Sequence, residues 1–310
     1  QQGPPGTRRA TRKEEQPGWG RKDLWCERVM SMQDVFNVAV VIFTVSNIGA
    51  MGLGLNLRET LKDLRSIRLV GLIFLWGWVV GPALAWLINS LLPLSQGHAA
   101  GLLLISLAPT APFFPLMVSR ARGDMSFAAA FMLLTTIGTV LLLPLMAPLL
   151  IQGLTVDSWS LAKPLIKMVL LPLLIGTAIR AFAPSVAQKM LPVAQKIGAV
   201  FLLIALALTL VLYGREMLGT VGSFAPGAQV LFFIAITAIS YTIGFGLEQQ
   251  QRSAMALGMC TRNIAALFAA FFGIANPPDG LFVMIVLAVP LAAIVADVAA
   301  RLFARQVPAD

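Results

Sequence analysis

Apolar residues run through this chain in nine long blocks separated by short polar connections. The blocks lie at roughly 34–56, 68–92, 97–119, 125–152, 161–183, 194–218, 226–247, 250–275 and 279–304. Each is about 20 residues or more, enough helix to cross the hydrocarbon core of a bilayer. They are continuous, unlike the alternating ~10-residue segments of a membrane barrel. The pattern predicts an all-α, polytopic membrane protein with nine transmembrane helices.

Two blocks contain residues that a regular helix in lipid does not tolerate. The third reads Leu107-Ala108-Pro109-Thr110-Ala111-Pro112-Phe113-Phe114-Pro115. A proline lacks an N–H and clashes with the carbonyl four residues back. Pro109, Pro112 and Pro115 therefore free the carbonyls of Ile105, Ala108 and Ala111. Such backbone survives at membrane depth only when buried in protein or lining a cavity. The eighth block holds Gly258, Thr261, Arg262 and Asn263. An arginine there costs from about 3 to more than ~10 kcal/mol unless it faces a bundle interior, a partner or a water-filled cavity.

The two interrupted blocks are five apart, and each has a straight neighbour on both sides. Interrupted segments at matching positions of two halves point to an inverted-repeat transporter. The halves would be about 30–152 and 161–305, with breaks at about Ala108–Pro115 and Gly258–Asn263, close in space. Half-helices starting near Phe113 and Arg262 would aim their positive ends, each worth about half a charge, at the crossing.

Composition agrees with the pattern. Of 310 residues, 58% are hydrophobic and 12% charged, against about 25% charged in a soluble domain. The net charge of +9 is not a nucleic-acid footprint, because seven of the 23 basic residues lie before Val29 and most of the rest lie in short loops, where they set topology. Arg58, Lys62, Arg65 and Arg68 follow the first block, Arg120 and Arg122 the third, and Arg301 and Arg305 end the ninth. That bias predicts a multi-pass protein of the cell (inner) membrane, with the N-terminus outside and the C-terminus, including the tail 306–310, cytoplasmic. Residues 1–29 are polar and basic and would then lie on the wrong side. They are expected to be a disordered or non-native extension. One histidine, His98, and two cysteines, Cys26 and Cys260, leave no metal centre and no cofactor to expect. No Ser/His pair or deep aspartate pair supports an enzyme.

The run Met51-Gly52-Leu53-Gly54-Leu55, a basic loop and a span with Gly81-Pro82 resemble the opening of the bile acid:sodium symporter family. Ala108 to Ala111 and Arg122-Gly123-Asp124 resemble its first crossing helix and the turn after it, and Gly258 to Ala266 its second. The resemblance implies a panel domain packed on a core domain in which two broken helices cross. It also implies sodium coupling. At the positions where the family places sodium ligands, this chain has Phe114, Pro115, Ala128, Met132, Gly258, Arg262 and Gly77. None of these side chains offers an oxygen, and Arg262 would repel the ion.

The expected function is a secondary transporter of a small organic anion, without the usual sodium sites. Arg262, Asn263, Thr261, Thr110, Phe113 and Phe114 are the candidate substrate residues, and Pro109, Pro112, Pro115 and Gly258 the helix breakers. The lipid bilayer is the other partner. A sodium symporter with rebuilt sites and a non-transporting receptor or scaffold on the same fold are the alternatives. Elsewhere, Thr135, Thr136 and Thr139 are expected to bond their own backbone. Asp297 is expected to pair with Arg301 one turn on, with Arg262 the alternative partner.

Overall fold

The computed structural model describes residues 31–56, 60, 66–151, 156–220 and 222–306. The extension 1–29, the tail beyond Gln306 and the loop cations Arg58, Lys62 and Arg65 lie outside the described residues. The helices are α1 (Met32–Gly54), α2 (Ile67–Leu91), α3 (Gln96–Ser106), α4 (Phe114–Arg120), α5 (Met125–Leu150) and α6 (Ser158–Phe182). They continue as α7 (Pro184–Thr220), α8 (Ala225–Thr242), α9 (Gln249–Cys260), α10 (Ile264–Phe271) and α11 (Leu281–Ala304). Among the described residues, seven are long and apolar enough to cross a membrane: α1, α2, α5, α6, α7, α8 and α11. The short pairs α3/α4 and α9/α10 occupy the third and eighth apolar blocks.

Local chemistry sets the helix starts. Ser31 and Asp34 form a reciprocal capping box at α1. Asp124 accepts from the Ser126 and Phe127 N–H groups at α5, and Asp157 from Ser160 at α6. Such caps satisfy N–H groups with no intrahelical partner. Pro82 and Pro172 each follow a stretch of wide π turns, Leu75–Val80 and Ile166–Leu170. A π turn is one way for a helix to absorb an interruption without ending.

α1 packs along α6 and α7. The first contact needs glycine: a Cβ at Gly52 would stand 2.5 Å from the Leu173 carbonyl oxygen, and one at Gly176 2.5 Å from that of Gly49. The interrupted pair α9/α10 is central, and every residue from Ser253 to Ala270 is buried. α8, α5, α11 and α4 surround α9. Much of α7 is open to the surroundings, as expected of a helix facing lipid.

Arginines gather at one end of the bundle. Arg68 of α2 donates to the Phe245 carbonyl before α9, and Arg252 of α9 donates to the Tyr241 carbonyl of α8 at 2.8 Å. Asp297 of α11 pairs with Arg301 at 2.7 Å, as expected, and also with Arg120 of α4 at 2.6 Å. It does not pair with Arg262. Thr135 and Thr136 donate to the carbonyls of Phe131 and Met132, as expected; Thr139 does not, and its buried hydroxyl has no partner among the described residues.

Candidate functional site

Helical bonding stops in two places, Leu107–Phe113 and Thr261–Asn263, and the two stretches lie against each other. Pro109 and Arg262 form an isolated antiparallel bridge. The Thr110 N–H donates to the Thr261 carbonyl at 2.8 Å, and the Asn263 N–H donates to the Ala108 carbonyl at 2.9 Å. The breaks therefore satisfy each other's backbone, which is what permits them inside an apolar bundle.

Each carbonyl freed by a proline has found a donor. Ile105 O accepts from the Ala108 N–H at 3.3 Å, Ala108 O from Asn263, and Ala111 O from the Phe114 N–H at 3.0 Å. Leu107 O accepts the indole N–H of Trp78 at 3.2 Å. Thr261 Oγ1 donates to Leu257 O at 3.0 Å and accepts from the Ala111 N–H at 3.3 Å. Thr110 has φ +75°, a left-handed conformation in which a β-branched residue is a genuine outlier. Strain of this kind is held by its surroundings and gathers at functional sites. Here the surroundings are the Thr261 carbonyl and the carbonyl of Gly258, which accepts from Thr110 Oγ1 at 3.4 Å.

Arg262 is 1% exposed. One guanidinium nitrogen donates to Met259 O and the other to Ser106 O at 3.4 Å. These carbonyls belong to the last turns of α9 and α3. The guanidinium also lies over the Phe232 ring, 4.9 Å from its centroid, within cation–π range. Among the described residues the ion pairs are Arg120–Asp297 and Arg301–Asp297, so no carboxylate meets Arg262. Two donors at the crossing have no acceptor among the described residues, Arg262 Nε and Asn263 Nδ2. The Asn263 side-chain oxygen is engaged, accepting from the Ala266 N–H at 3.0 Å as the N-cap of α10.

The expected breakers divide. Pro109 and Pro112 lie in the first interruption. Pro115 lies in the first turn of α4, where the missing N–H is unpaired in any helix. Gly258 is not a breaker: α9 runs on to Cys260. Its role is room, since a Cβ there would fall 2.3 Å from the Phe131 ring. The helices after the breaks start at Phe114 and Ile264, one and two residues later than expected.

A cavity of about 260 Å³ touches the first break. Its walls are Asn47, Met51 and Gly54 of α1, Pro112 and Pro115, Met125 and Met132 of α5, and Gln195 of α7. Of the ten residues named from the sequence, Pro112 and Pro115 line it. Arg262, Asn263, Thr261 and Thr110 are buried and do not line it, Phe114 packs on Phe131 at 5.4 Å, and Phe113 is half-buried against the core. The sequence reading missed Asn47, an amide inside the first apolar block, and Gln195. It also missed Trp78, whose indole serves the first break.

Residues 41–219 match the sodium bile acid symporter family, more than half of the chain. The chain belongs to the sodium bile acid symporter family. Its members are transporters, not enzymes, and the protein is a multi-pass membrane protein. The matched residues take in α2 to α7 and the first break, while the second break lies beyond them. Three curated relatives are similar to this symporter-family chain. Probable sodium/metabolite cotransporter BASS2, chloroplastic, from Oryza sativa subsp. japonica is 26% identical over 70% of the chain and 50% of its own length. BASS1 from the same plant, with the same description, is 26% identical over 70% and 56%. The BASS3 protein so described from Arabidopsis thaliana is 22% identical over 64% and 48%. The chain thus spans about half the length of the relatives it matches.

Proposed function

We propose that this protein is a secondary transporter of a small organic anion, with α3/α4 and α9/α10 as the crossing elements of two inverted halves. The seven long helices and the two interrupted pairs are read as nine spans. α1, α6 and α7 form one body, and the remaining helices form a second body around the crossing. Sliding of one body on the other would give alternating access, and the cavity between α1, α7 and the first break would be the substrate chamber.

The observation that carries the anion is the charge at the crossing. Two helix C-termini and two helix N-termini meet there, each equivalent to about half a charge of its sign, so their sum is close to zero. Arg262 adds a full positive charge with no carboxylate beside it among the described residues. An intramembrane charge of this kind marks a substrate or ion pathway. The two donors without acceptors, Arg262 Nε and Asn263 Nδ2, suit a carboxylate or sulfonate.

The relatives are described as sodium/metabolite cotransporters. We infer that this chain works without their cation. Phe114, Pro115, Ala128, Met132, Gly258 and Gly77 provide no side-chain oxygen for a hard ion, which needs several oxygen ligands. On the positive-inside bias, the end where the arginines gather would be cytoplasmic. The N-terminus would then lie outside and the C-terminus inside.

The test is a stabilisation screen of the purified protein with carboxylates, keto acids and sulfonates, followed by uptake of the best binder into proteoliposomes. At least one organic anion should raise the unfolding midpoint and enter faster than into empty liposomes. Binding without uptake would favour a receptor on the same fold. Stabilisation by neutral or cationic solutes alone would contradict the reading.

A further inference from the structure

The carbonyls that end α3 and α9 are nearly all accounted for by backbone or fixed side-chain donors. Leu104 O and Ile105 O take Leu107 N–H and Ala108 N–H, and Leu107 O takes Trp78. Leu257 O takes the Thr261 N–H at 3.0 Å, and Gly258 O takes Thr110 Oγ1. Ser106 O, Met259 O and Cys260 O remain. The first two come from two different helices, and Arg262 donates to both. The Phe232 ring closes the third side, 4.9 Å from the guanidinium carbon.

Two carbonyl oxygens at the negative ends of two helices, with the face of an aromatic ring, are the surroundings of a cation. The planar guanidinium fork bridges both oxygens, which a compact ammonium could not do in the same way. We propose that the two helix ends form a monovalent-cation seat, that Arg262 occupies it as a tethered cation, and that removing the side chain opens it to a free cation. The tether makes occupancy an intramolecular event, so it does not depend on the concentration of any ion. The crossing would therefore hold its cation-bound arrangement without drawing on ions in solution. This concerns the crossing alone and stands whether or not an organic anion is carried.

The test needs no substrate. Arg262→Ala and, as a second variant retaining a neutral amide, Arg262→Gln are purified in choline chloride. Their unfolding midpoints are then followed against guanidinium, sodium, potassium and choline at constant ionic strength. At least one variant should be stabilised saturably, with half-effect in the millimolar range, by guanidinium or sodium but not by choline. The unmutated protein should respond to none of them. A variant recovered folded only when guanidinium or sodium is present throughout purification would count the same way. A purely structural arginine gives a different result. Both variants would then be destabilised equally in every salt, or stay unfolded in all of them, and either outcome overturns the proposal. A failed anion screen on the unmutated protein leaves this result untouched, so the two readings fail separately.

Discussion

Adding one carbon at Gly258 probes how tightly the crossing is packed. An alanine Cβ there would lie 2.3 Å from one edge carbon of the Phe131 ring, 2.6 Å from the next and 2.9 Å from a third. Ordinary carbon contacts begin near 3.4 Å, so the ring must retreat by a little over an ångström. It has no room to do so. Phe131 is fully buried, with Phe114 at 5.4 Å and Phe127 at 6.1 Å, centroid to centroid. Overpacking of this kind costs about 1–3 kcal/mol, to which alanine's better helix propensity returns about 1 kcal/mol at most. Gly258→Ala should therefore lose roughly 1–2 kcal/mol. SDS titration of the protein in mixed micelles, read by far-UV circular dichroism, would measure it. Phe131→Leu removes the obstructing ring edge, so the double variant should recover at least about 1 kcal/mol relative to the sum of the singles. Additive losses, or a neutral Gly258→Ala, would refute the argument that this glycine provides room for the ring.

Trp78→Phe leaves Leu107 O buried without its donor and should cost about 1–3 kcal/mol in the same titration; a neutral result would mean water replaces the indole. Asp297→Asn breaks pairs whose arginine side chains are 50% and 74% exposed, so it should cost less than about 1 kcal/mol, a loss that shrinks at high salt. In choline buffer, Arg262→Gln should weaken binding of the stabilising anion by about tenfold or more, and unchanged affinity would remove Arg262 from the charge argument. Cysteines introduced at Ser66 and Ser90, at opposite ends of α2, should label from opposite sides of the membrane, with Ser90 outside. Labelling from one side would mean the spans are miscounted.

Much of this was legible in the sequence because the bilayer punishes exceptions. Three prolines in seven residues, and Arg262 beside Asn263, have no place in a straight lipid-facing helix, so they announced both breaks. That the breaks meet was inferred from their matching positions, and the Pro109–Arg262 bridge bears it out. What Arg262 reaches was not legible. Its donors turn back onto the carbonyls of Met259 and Ser106, and only the second half of that pairing is remote in sequence. Gly258 was misread because glycine weakens a helix and also makes room for a neighbour. Phe131, the neighbour in question, is 127 positions away. The cavity was invisible for the same reason: α1, the first break, α5 and α7 each contribute ordinary residues. Asn47 and Gln195, amides inside apolar blocks, were the available signal, and the sequence reading passed over both.

The most direct test of the central claim is uptake of the stabilising organic anion into proteoliposomes of unmutated protein, in sodium and in choline. With a built-in cation at the crossing, initial rates should differ by less than about threefold, equivalent to under ~0.7 kcal/mol. A sodium-dependent rise of tenfold or more would contradict the account and place a working sodium site in this chain.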